Sequence, residues 1–105
     1  MRTSSVTRAG IGVSAALPLD PYTVGAAPGL YLKPGAGATC SVEITPDNVF
    51  DATVVPTWFP CNIAALTGAT ANASGALTQG ARAARINQTV GGTTSTLQVV
   101  EQGII

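Results

Sequence analysis

Residues 84–100 read ARINQTVGGTTSTLQVV, two β-rich runs about a Gly91-Gly92 pair. The runs are rich in Val, Ile and Thr, which suit a pleated surface, and the glycine pair suits a tight reversal. A two-residue turn sets Val90 opposite Thr93. Counting outward, Gln88 faces Ser95, Ile86 faces Leu97 and Ala84 faces Val99. The alternate row pairs Thr89 with Thr94, Asn87 with Thr96 and Arg85 with Gln98. One row is apolar toward its far end and the other is polar throughout, so the pattern predicts a C-terminal antiparallel hairpin with one wet face. Ile86, Leu97 and Val99 are its core anchors. Trp58, the only tryptophan, is expected to join them as a core filler.

Upstream, Thr39–Thr45 alternates with period two: Cys40, Val42 and Ile44 on one face, Thr39, Ser41, Glu43 and Thr45 on the other. Ile11–Leu17, Tyr22–Val24 and Leu30–Lys33 read as further extended pieces. PGAGA at 34–38 reads as a flexible turn. Residues 67–80 read as a long loop, with a one-turn helix near Ala64–Leu66. Short strands at this spacing predict an all-β fold, a small antiparallel β-sandwich or barrel. Residues 9–105 form a single β domain. Residues 1–8 read as a flexible polar arm whose Arg2 and Arg8 are candidates for gripping a partner.

The chain has 105 residues, enough for one core. Five basic and five acidic residues cancel, so nothing electrostatic argues for nucleic acid or an anionic membrane. Only 10% of the chain is charged, against about 25% in an average soluble domain, which points to a surface that is polar without charge or covered by partners. No run is long enough to span a membrane as a helix. Arg2 and Arg8 ahead of the apolar 9–17 resemble a secretory leader, but Gly10, Gly12 and Ser14 interrupt the run and no cleavage site follows, so none is expected.

The chain has no histidine, which excludes serine–histidine and cysteine–histidine dyads. Cys40 and Cys61 would close a loop of about twenty residues if bridged, worth about 3 kcal/mol in an oxidising compartment. Without a leader the default is two reduced thiols acting as small hydrophobes. One pair of sulfurs does not make a zinc site. Asp47 and Asp51, in PDNVFD, have too few oxygen neighbours for calcium and read as a turn cap and a solvated carboxylate. GAGA at 35–38 lacks the lysine and hydroxyl of a phosphate loop. Arg82 and Arg85 read as solvated strand residues. The sequons at Asn72 and Asn87 have meaning only in a secreted glycoprotein. The residues supply no catalytic, cofactor or metal site.

Several segments in order resemble a family of small β-rich tailed-bacteriophage proteins encoded among virion-assembly genes: GVSAALPLD at 12–20, PYTVG at 21–25, TCSVEITPDNVFD at 39–51, TWFP at 57–60, TANASG at 70–75 and ARAARIN at 81–87. The chain departs from that family at Cys61, where the pattern has a histidine. The resemblance implies a non-enzymatic virion structural protein, a capsid cement or decoration protein that binds the major capsid protein or other virion proteins and self-associates as a trimer or dimer. Assembly would take place in the bacterial cytoplasm. A phage neck or tail accessory protein is the alternative within that class. A secreted pilin- or adhesin-like subunit, favoured by a Cys40–Cys61 bridge, and a carbohydrate-binding module using Trp58 are the alternatives outside it.

Overall fold

The computed structural model describes residues 2–19, 28–77 and 81–101. The chain is all-β and antiparallel, with nine strands among the described residues: β1 Arg2–Ala9, β2 Gly12–Val13, β3 Leu17–Pro18, β4 Gly29–Lys33, β5 Thr39–Thr45, β6 Phe59–Pro60, β7 Ala73–Ala76, β8 Ala83–Val90 and β9 Thr94–Glu101. A one-turn 3-10 helix covers Ala64–Leu66. One sheet (A) has the order β1-β9-β4-β7. The other (B) has β2-β8-β5-β6, with β3 also pairing β8. The sheets stack as a sandwich, and neither closes into a barrel. Its thinnest dimension, 20 Å, is what two sheets about 10 Å apart require once outer side chains are added.

The core lies between the sheets. Leu30, Leu32, Leu97 and Val99 project into it from sheet A, and Cys40, Val42, Ile44, Ala84 and Ile86 from sheet B. β5 spans the residues whose alternation predicts it, and Cys40, Val42 and Ile44 are its inward row. Ile86, Leu97 and Val99 are fully buried, as expected of anchors.

The two C-terminal strands and the turn between them form where expected, but they do not pair as a hairpin. β8 bonds to β5, β2 and β3, whereas β9 bonds to β1 and β4. The Gly91-Gly92 turn therefore carries the chain from one sheet to the other. Gln88 explains the departure. Its side chain is fully buried, and Nε2 donates to the Gly91 and Thr93 carbonyl oxygens, both at 3.0 Å. The amide satisfies both turn carbonyls, and the Thr93 oxygen is the one that a two-residue hairpin would have paired with the Val90 N–H. Ser95 Oγ, also buried, accepts from the Gly35 N–H at 2.9 Å, and Thr93 Oγ1 donates to the Ala36 carbonyl at 2.9 Å. The 34–38 turn is thus fastened to this crossing rather than loose.

Residues 2–9 correct the expected flexible arm. β1 pairs with β9 in an unbroken register from Arg2↔Glu101 to Ala9↔Thr94. The inward positions of an edge strand lie at the rim of the sandwich, so Ser4 and Val6 suffice there, and the alternation that marks an interior strand is absent. Removing residues 1–8 would strip a strand from sheet A. The expected strand at Ile11–Leu17 is two short pieces, β2 and β3, separated by a buried Ser14 whose Oγ accepts from the Ile86 N–H at 2.9 Å. The loop expected at 67–80 contains β7, whose small residues give almost no apolar signal. The extended piece expected at Tyr22–Val24 lies outside the described residues.

Candidate functional site

The features most open to a partner lie at the β5–β6 end of sheet B. After β5, the chain leaves the sheet at Pro46 and returns at Trp58. Asp47 closes this excursion: its Oδ2 accepts from the Thr57 N–H at 2.7 Å. Within it, Asn48 Oδ1 accepts from the Phe50 N–H at 3.0 Å, and Asp51 Oδ1 accepts from the Thr53 N–H at 2.9 Å and the Thr53 hydroxyl at 2.7 Å. A main-chain bond from the Val54 N–H to the Asp51 carbonyl, 3.0 Å, completes the brace. These are Asx turns, in which a short side chain replaces a main-chain turn acceptor. The Thr53 hydroxyl first, and its N–H second, hold the Asp51 carboxyl below its ordinary value. The braced loop displays Phe50 and Val55, 79% and 89% exposed. Asp47 is thus the expected turn cap; Asp51, expected as a solvated carboxylate, is exposed and also braces the loop through Thr53.

Trp58 is not in the core, which corrects that expectation. Cys61, buried just after β6, turns inward, and Phe59 shares its parity opposite Ile44 but stays 47% exposed at the rim, so Trp58 and Pro60 fall on the outer face. There the Arg85 guanidinium stacks over the indole, with Cζ 4.3 Å from the ring centroid, and Arg85 Nε donates to Glu43 Oε1 at 2.8 Å. Arg85 and Glu43 face each other across the β5–β8 ladder. The trio locks the loop's return onto sheet B. One face of the indole is already occupied, which argues against Trp58 as a sugar platform.

Arg8, one of the two arm candidates, folds back at the end of β1. Its Nε donates to the Gly10 carbonyl at 3.1 Å and its Nη2 donates to the Ile11 carbonyl. It clamps the Gly10–Gly12 crossing from sheet A to sheet B. Arg2 stands opposite Glu101 at the far end of the same strand. The two arginines are therefore not brought together. Arg82 is exposed beside β8.

Cys40 and Cys61 are separate buried thiols. Cys40 Sγ lies 3.1 Å from Ser95 Oγ, within the polar cluster at the Gly91 crossing. Cys61 Sγ accepts from the Ile63 N–H at 3.4 Å, and burial pushes its thiol pKa up, which disfavours the reactive thiolate. Among the described residues no three His, Cys, Asp or Glu side chains cluster as a metal site would need. A shallow depression of about 280 Å³ on the outer face of sheet A is lined by Tyr31, Leu32, Lys33, Asn72, Ala73 and Ser74. It has no pair of groups suited to acid–base work.

Comparison with family models, curated proteins and solved structures finds no match to this chain.

What the site can do follows from its groups. It offers two exposed apolar side chains on a hydrogen-bonded frame and a stacked, ion-paired buttress beneath the frame. The braced loop was missed in the sequence, although PDNVFDAT carries its signal: Asn and Asp each two residues before the N–H they accept.

Proposed function

We propose that this protein is a non-enzymatic structural component of a bacteriophage virion, a capsid cement protein that binds the major capsid protein shell. The observation that carries the adhesive part of this reading is the 47–57 loop, which holds Phe50 and Val55 in water on a frame that is already ordered. An apolar contact presented by a rigid loop loses little conformational freedom when it is covered. The nearly uncharged surface supports the same reading, because a neutral protein meets a crowded array of neighbours without self-repulsion. The virion part rests on the segments that resemble small phage proteins.

The test is mass spectrometry of purified particles with copy counting, together with a Phe50→Asp/Val55→Asp variant. The expected result is wild-type protein present in hundreds of copies, with a folded variant that no longer saturates capsids. A variant that binds capsids like wild type removes the loop from the reading, and absence of the protein from particles overturns the virion assignment. A copy number of about a dozen would instead favour the neck or tail alternative, since a single closed ring holds only as many copies as its rotational symmetry.

A further inference from the structure

A sheet edge presents unpaired main-chain N–H and C=O groups, and soluble proteins usually shorten, cover or charge such edges. Three of the edges here follow that rule. On sheet B, β6 is two residues long and ends in Pro60, while β2 and β3 are two residues each and β3 ends in Pro18. On sheet A, β7 is four residues long, and Ile63, next to the 3-10 helix, packs against its Gly75. β1 does not follow it. It runs eight residues, RTSSVTRA, without proline or a break in register, its only charges, Arg2 and Arg8, stand near its two ends and leave residues 3–7 uncharged, and no described strand lies beyond it.

We infer that β1 is a self-association edge, on which a second copy of this chain pairs β1 to β1 antiparallel, making one continuous eight-stranded sheet across a two-fold axis. The inference does not depend on the virion reading.

The sequence of β1 selects the register. Facing residues in such a pair share one side of the sheet, so a two-fold axis passes through a residue. An axis at Ser5 would set Arg2 opposite the partner's Arg8, two like charges in direct register, which is unfavourable. An axis at Val6 avoids this. It pairs Thr3 with Ala9, Ser4 with Arg8 and Ser5 with Thr7, and it sets Val6 against its own copy. Val6 is the one large apolar residue of the strand and is only half-buried at the rim of the core, so its own copy covers what the fold leaves open. In the outer row the two symmetry-related Ser5–Thr7 contacts become hydroxyl pairs, which suit cross-strand contact, and Thr3 meets the small Ala9. Of the seven facing pairs, alternate ones exchange two main-chain bonds each, about six to eight bonds in all. The zero net charge leaves no overall repulsion between copies.

Light scattering with size exclusion across a dilution series tests this, with far-UV circular dichroism to check the fold. The expected species for the wild type is a dimer at twice the 10.5 kDa chain mass, dissociating on dilution. Ser5→Lys/Thr7→Lys places a lysine beside a lysine at both symmetry-related contacts and is expected to be a folded monomer. Ser5→Glu/Thr7→Lys places opposite charges at the same contacts and is expected to remain dimeric, with an affinity that falls as salt rises. A monomeric wild type at every concentration overturns the proposal. So does a Ser5→Lys/Thr7→Lys protein that is still dimeric, because another surface must then be in use. A monomeric Ser5→Glu/Thr7→Lys protein beside a dimeric wild type overturns the Val6-centred register. None of these measurements involves capsids, so they stand or fall apart from the virion assignment.

Discussion

The chain crosses between its sheets at the Gly10–Gly12 corner, from β1 to β2, and again at the Gly91-Gly92 corner, from β8 to β9. Both use a glycine at positive φ: +82° at Gly10 and +92° at Gly91. Both are held by a side chain that donates to two turn carbonyls. There the likeness ends. The first corner lies at the surface and is clamped by a guanidinium. The second, although Gly92 and Thr93 are themselves exposed, is clamped from beneath by the buried amide of Gln88 and packed on the 34–38 turn. A charge serves where water can solvate it, and a neutral donor serves where water is excluded. The same local device therefore contributes differently to stability, and substitutions at the two corners expose the difference.

The largest effect is expected at Gln88. Gln88→Glu replaces two donors with a carboxylate aimed at the Gly91 and Thr93 carbonyl oxygens, leaving a buried charge without a partner at a cost of about 3–5 kcal/mol. Gln88→Leu should cost about 2–4 kcal/mol, since both carbonyls lose their donor. Urea denaturation checks both; a loss below about 1 kcal/mol in Gln88→Leu, less than an average hydrogen bond contributes, would mean that the amide does not clamp the corner.

Next come the glycines. Alanine at either position adopts a left-handed conformation at about 1–2 kcal/mol. At Gly10 a Cβ meets nothing within 4 Å, whereas at Gly91 it falls 2.9 Å from both Ala38 Cα and the Gly37 carbonyl oxygen. Gly91→Ala should therefore lose at least about 1 kcal/mol more than Gly10→Ala, as overpacking against main chain does. Equal losses in thermal or urea unfolding would show that the two corners are packed alike.

Arg8→Ala should cost about 1 kcal/mol or less, because water replaces the guanidinium at the exposed carbonyls. Its unfolding midpoint should stay close to that of the wild type, in contrast to Gln88→Leu.

The smallest effect concerns pH and sets both corners against the 47–57 loop. Neither an amide nor a guanidinium titrates in the acid range, but Asp51 does. Its folded value is depressed, so its contribution is present above the ordinary value of 3.8 and is lost as pH falls through the lower folded value. The Thr53 amide resonance should titrate below pH 3.8, with the amides of residues 91–93 unmoved, and Asp51→Asn should abolish the Thr53 transition. A Thr53 titration at or above the ordinary carboxylate range would break the assignment.

Legibility in the sequence followed local chemistry. β5 could be read because its inward residues are apolar and its outward ones are not. The inward row of β8 and β9 could be read for the same reason. β1 and β7 could not, because strands at the rim need few apolar side chains to be seated. Trp58 misled because size suggests burial, while the parity of the strand, fixed by Cys61 turning inward, put it outside. In the loop that carries the candidate contact, Val54, Val55 and Pro56 signal only irregular or extended chain, although the Asn48 and Asp51 turns were written in it.

The chain by itself determined that the fold is β, where its interior strands lie, and which side of each faces inward, because period-two alternation reports burial residue by residue. Only the tertiary structure decided whether the last two strands bond edge to edge or stack face to face. In a hairpin Ile86 and Leu97 would stand side by side beneath one sheet; in the sandwich they approach from opposite sheets. Both arrangements bury the same row, so hydrophobic pattern has no power to separate them. The choice fell to long-range partners: a buried amide gathering the turn carbonyls, and the strands β5, β4 and β1 that took the main-chain bonds.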